Sequence, residues 1–144
     1  VRLDPSNAEA HYNVGSLLRA RGELAPAGDE FRAALALKPD WIPAVASLAW
    51  LLATAPDVAI RDPAGAVRFA ERAADLTARR DASGFDILAA AYAAAGRYDQ
   101  AIATCDLALT LQPDVALERS IRARQALYRQ RRPYRSPRQQ AIRN

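Results

Sequence analysis

Apolar side chains recur three to four residues apart along most of this chain, the spacing that gathers them on one side of a helix. Val45, Leu48, Ala49 and Leu52 form one such stripe. Leu117, Ile121, Arg124 and Tyr128 share another, with a guanidinium set among the apolar groups. Gly22, Pro39, Pro56, Pro63, Gly96 and Pro113 divide the periodic segments from one another. The pattern predicts helices over 8–20, 23–37, 42–54, 63–77, 82–94, 98–111 and 114–131. Gly22 and Gly96 each follow a helix where the chain must turn with positive φ, which costs glycine almost nothing. Asp62 offers an acceptor to the first turn that Pro63 opens, and the proline ring holds helical φ there. Pro26 and Pro43 fall in first turns, where the absent N–H has no partner to lose.

Composition agrees with helices and removes other classes. Alanine fills 34 of the 144 positions and glycine only 6, while β-branched and aromatic residues are too scattered for a sheet. The expected fold class is all-α. With 51% apolar and 25% charged residues the chain is expected to be globular and soluble. One cysteine, Cys105, cannot close an internal disulfide, and together with the single His11 it cannot supply a four-ligand zinc site. The longest apolar run, Val45 to Ala53, is shorter than the roughly 18 residues of a membrane span, and no signal peptide opens the chain. The chain contains no Met, so it is expected to be a piece of, or processed from, something longer.

The chain also matches itself at an offset of 74 residues. His11 falls on Phe85, Val14 on Leu88, Leu18 on Tyr92, Gly22 on Gly96, Ala27 on Ala101, Phe31 on Cys105, Ala34 on Ala108 and Pro39 on Pro113. Between these two units lies a third, with Val45, Leu48, Ala49, Leu52, Ala66, Ala70 and Ala73 at the corresponding sites. Its length is 40 residues, and most of the excess falls in the turn "ATAPDVAIRDP". Gly15, Ala49, Ala89, Ala27, Ala66 and Ala101 leave room for helix axes to approach.

Helix pairs with small residues at fixed sites and a closing proline resemble the tetratricopeptide repeat, whose period is about 34 residues. The resemblance covers about residues 1–131. It implies a right-handed α-solenoid of antiparallel helix pairs, with repeats at 8–41, 42–81 and 82–115 and a capping helix at 114–131. Residues 1–7, "VRLDPSN", resemble the closing segment of a preceding repeat, so the array is expected to extend upstream. The face carrying Val14 or Leu17 would then be open to self-association. Two phrases, "LAWLLATAPD…RDP" and "ALYRQRRPYR", resemble the carboxy-terminal ends of long bacterial repeat proteins, some with a membrane glycosyltransferase-like segment upstream. A bacterial cytoplasmic or periplasmic setting is expected, and arginine at 19 against one lysine is consistent with it.

Function follows from what is missing as much as from what is present. His11 and Cys105 occupy sites where the repeat carries packing residues, no glycine-rich phosphate loop follows a strand, and pairs such as Asp99 and Asp106 or Glu71 and Asp75 lie at ordinary helical spacing. A non-enzymatic binding module without cofactor or metal is expected. In the family, the first helix of each pair lines a concave groove. The resemblance therefore implies a lining of Glu9, Tyr12, Ser16 and Arg19, then Ala46, Trp50 and Thr54, then Ser83, Asp86, Ala90 and Ala94. Tyr12, Ser16, Ala46 and Asp86 do not supply the lysines and asparagines of the subclass that clamps carboxyl-terminal peptides. Trp50 is the natural anchor for a ligand, unless Val58 or Ile60 of the long turn folds over it. Trp41, at a junction between units, is expected to pack there.

Charge adds a rival reading. Residues 1–118 carry 11 basic and 16 acidic side chains, whereas 119–144 hold 9 arginines and no acid. The region 132–144 is expected to be a basic, flexible tail, since Pro133 and Pro137 interrupt it and its charges repel. The leading expectation is a scaffold that takes a peptide or protein segment in the groove. The alternatives are an electrostatic module whose tail meets nucleic acid or an anionic surface, with Tyr134 stacking on bases, and a regulatory appendage of an upstream membrane enzyme. Nucleic acid is disfavoured by the acidic body.

Overall fold

A computed structural model describes residues 7–138. Except for Asn7, the expected closing segment at 1–7 lies outside the described residues, as does the tail after Arg138. The described chain forms α1 (Ala8–Ala20), α2 (Leu24–Leu37), α3 (Ile42–Thr54), α4 (Pro63–Leu76), α5 (Ala82–Ala94), α6 (Tyr98–Thr110) and α7 (Val115–Arg129). No strand occurs among the described residues. None of these helices is long and apolar enough to cross a membrane.

Four helices open on side chains that the sequence supplies for the purpose. Asn7, Asp62, Asp81 and Asp114 each accept a backbone N–H of the first turn through their side-chain oxygen, relieving donors that have no partner within the helix. α1 and α5 end at Gly22 and Gly96, with φ of 79° and 77°. α4, α6 and α7 end without glycine, so Ala78, Arg79, Gln112 and Arg131 take positive φ despite their Cβ atoms.

The helices pack as consecutive antiparallel pairs, α1 on α2, α3 on α4 and α5 on α6, with α7 laid against α6 and α5. Neighbouring pairs meet through α2 and α3 and through α4 and α5, and α3 also lies directly on α5. The result is an all-α helical repeat solenoid. α3 and α5 sit inside the stack and bury residues on most of their circumference, whereas α1, at the edge, buries only Ala8 and Gly15. One apolar core runs from Ala27 and Phe31 through Leu48, Leu52, Leu88 and Cys105 to Ile121 and Tyr128. Burying each large aliphatic or aromatic side chain of this core stabilises the fold by about 1.5–3 kcal/mol before entropy is counted.

Small residues set the helix spacing as the pattern predicts. A Cβ on Gly15 would lie 2.8 Å from the Phe31 ring, and that ring is fully buried with nowhere to go. Ala27, Ala49, Ala66, Ala89 and Ala101 are fully buried at the corresponding sites. At the first junction Trp41 meets Tyr12 edge-on at 5.1 Å beside Ala8, Ala34 and Ala44, so it packs between units. His11 is bound to Glu30 across the first helix pair at 2.7 Å.

Candidate functional site

The three first helices, α1, α3 and α5, present one face of the stack, and the residues expected to line it divide into open and closed sets. Glu9 and Ser83 are exposed, and Tyr12, Ser16, Arg19, Ala46 and Ala94 are half-buried. Thr54, Asp86 and Ala90 are buried. The end of the chain meets two of them: Arg124 of α7 bonds Asp86, and Ser136 bonds Thr54 at the end of α3.

Trp50 stands where these elements meet. It is half-buried, and the ring facing it is Tyr134, 5.6 Å away between centroids and tilted by 37°. Of the two residues offered as its cover from the long turn, Val58 is 74% exposed, while Ile60 packs against the same core and lines the same cavity as Trp50. Arg124, from α7, lies 5.3 Å from the Trp50 ring and 5.2 Å from that of Tyr134. A guanidinium this close to two aromatic faces is attracted by both. Its other edge grips Asp86 of α5 in two hydrogen bonds, Nε to Oδ1 at 2.9 Å and Nη2 to Oδ2 at 2.5 Å. The paired groups are nearly out of water, 14% and 7% exposed at the side chain. Burial alone would lower the Arg124 pKa, but the carboxylate beside it prevails and holds it above its ordinary value.

The end of α3 explains why the C-terminal segment lies here. The last four carbonyls of a helix lack partners within it. In α3 those of Leu51 and Leu52 are taken by the amides of Ala55 and Asp62, at 3.1 and 3.0 Å. Those of Ala53 and Thr54 accept from the Arg135 side chain at 3.2 Å and the Ser136 amide at 2.8 Å. The Ser136 hydroxyl also bonds the Thr54 hydroxyl at 2.9 Å, and that hydroxyl donates to the Trp50 carbonyl at 2.7 Å. Arg135 and Ser136, from the region 132–144 expected to be a flexible tail, thus cap the end of α3.

Beside this contact a cavity of about 640 Å³ stays open between α1 and α3. Arg19 and Leu24 line its α1–α2 side, Trp50 and Thr54 its α3 side, and Ile60 and Pro137 are further lining residues. Its lining mixes apolar side chains with polar ones, Arg19, Thr54, Asp57 and Ser136 among them. Cys105 is fully buried, and burial, helped by the nearby Asp86 carboxylate, pushes its thiol up to about 12. Such a thiol is inert rather than nucleophilic. Among the described residues no three His, Cys, Asp or Glu side chains gather as metal ligands.

Pattern reading placed Trp50 and Asp86 on the groove but not their partners. The sequence did hold a signal: Arg124 lies on an apolar helix face and Asp86 within an alanine-rich helix. Charges in such places call for each other, because neither is buried cheaply alone. Tyr128 is fully buried on the same face of α7, its hydroxyl without a partner among the described residues.

Comparison with known proteins agrees with this architecture. The family model of the tetratricopeptide repeat matches residues 8–40 and 84–115. No curated protein matches the chain.

Proposed function

We propose that this chain, which belongs to the tetratricopeptide repeat family, acts by holding an extended peptide of a partner protein on the face formed by α1, α3 and α5. Repeats of this family generally mediate protein–protein interaction; the peptide, the face and the anchor are the finer reading. One observation carries it: a non-helical stretch of the chain's own C-terminal region already lies against Trp50 and Thr54, through ring contact and hydrogen bonds that any suitable peptide can make. Trp50 supplies the anchor, since a half-buried indole offers a large contact area at little conformational cost. The cavity between Arg19 and Trp50 gives room for a neighbouring side chain.

The test is selection of peptides from a displayed library on the whole chain, followed by titration against Trp50→Ala. Selected peptides are expected to lose about 2 kcal/mol of binding, roughly thirtyfold, as at an interface hot spot. Affinity that changes little between low and physiological salt accords with the groove, whereas a steep fall marks phosphate-type contacts of the basic C-terminal region. Peptides that bind Trp50→Ala as well as the parent chain refute the groove reading.

A further inference from the structure

The segment at Pro133–Arg138 meets the groove as a ligand would. Pro133 and Pro137 hold the residues before them extended, Tyr134 lays its ring by Trp50, and Ser136 bonds Thr54 through both backbone and hydroxyl. Between them Arg135 sends Nη1 to the Ala53 carbonyl at 3.2 Å and to the carbonyl of its own neighbour Tyr134. Arg135 stands at the C-terminal end of α3, where the helix dipole favours a cation. No acidic partner lies within ion-pair distance of it among the described residues. Burial, and after it the like charge of Arg61, pushes its guanidinium below the ordinary value. The segment therefore has the right shape and hydrogen bonds for the site.

We propose that Tyr134–Ser136 is an internal, displaceable occupant of the groove, and that the partner is an extended peptide with an aromatic residue two places before a serine or threonine and a hydrogen-bond donor between them. The proposal rests on the peptide-binding reading above and gives it a ligand and a means of control. The aromatic ring takes the place of Tyr134 between Trp50 and Arg124, which stays charged and bound to Asp86. The hydroxyl residue replaces Ser136 on Thr54. A side chain such as arginine or glutamine between them keeps a donor for the Ala53 carbonyl. Binding of such a peptide releases the chain's own segment, so access to the groove is coupled to the position of the C-terminal region.

Two fluorescein-labelled peptides, RPYRSPR and RPYQSPR, test this by anisotropy with the whole chain and its Tyr134→Ala variant. Removing the internal competitor raises the competent fraction, so both peptides are expected to bind Tyr134→Ala about tenfold more tightly than the parent chain. Trp50→Ala in the same background is expected to abolish binding of both. The parent chain provides a readout without a variant: saturating RPYQSPR speeds hydrogen exchange of the Ser136 amide as its bond to Thr54 opens. Equal affinity for parent and Tyr134→Ala, or a Ser136 amide still protected at saturation, overturns the proposal. If library peptides depend on Trp50 while neither synthetic peptide binds, the occupant is refuted and the groove stands. If no peptide depends on Trp50, both fall.

Discussion

The helix pairs at the two ends of the array and the pair between them solve the same problem differently. At α1 and α5 the chain turns over residues 21–23 and 95–97 and satisfies its own carbonyls. Gly22 and Glu23 donate to Arg19 and Leu18 at 3.0 and 2.9 Å, and Gly96 and Arg97 donate to Ala93 and Tyr92 at 3.0 and 2.8 Å. At α3 residues 55–62 make the turn without glycine, and two carbonyls are completed by residues 82 positions away. A glycine cap makes a turn self-sufficient. Its absence leaves acceptors that a distant segment can take, and here that segment comes to rest on the groove.

The largest effect is expected where the middle pair relies on its core. Leu48 is fully buried, and Leu48→Ala should cost about 2–5 kcal/mol in urea denaturation. Trp50→Ala, one turn face away and half-exposed, should cost clearly less; equal midpoints would make Trp50 a core residue and deprive the groove of its anchor. Next comes the charge pair that fastens α7 to α5. Arg124→Leu strands the buried Asp86 carboxylate and should cost about 3 kcal/mol, much of it recovered when Asp86→Leu is added. A double variant as unstable as the single would show that the packing of Arg124 against the two rings, not its charge, is what matters.

The glycine caps come third. Gly22→Ala and Gly96→Ala force alanine to φ near 79° and 77° and should each cost about 1 kcal/mol in thermal unfolding, and Gly96→Ala, away from the cavity that Gly22 lines, should leave peptide binding unchanged. The smallest effect belongs to the borrowed cap. Ser136→Ala keeps the amide bond to Thr54 and loses only the hydroxyl contact, so it should cost about 0.5 kcal/mol or less. A loss as large as that of the glycine variants would mean that the C-terminal segment is a fixed part of the fold and not a movable occupant.

Much of this molecule was legible in the order of its residues. Helix positions follow from a repeating apolar stripe, their ends from glycine, proline and aspartate, and their close approach from Gly15 and the alanines, because each of these effects acts within a few residues of its cause. The self-match at 74 residues then arranges the pairs, since like units stack in like ways. Trp50 on the groove is of this kind. What covers it is not. Whether Tyr134 reaches Trp50, whether Arg124 meets Asp86 across 38 positions, and which donors complete the end of α3 depend on the angle at which α7 crosses α5 and on where the chain emerges from it. Those quantities arise from the packing of the whole stack, in which small tilts at every junction add up. No local pattern of residues carries that sum, and only the tertiary structure brings an arginine-rich end to rest on Trp50.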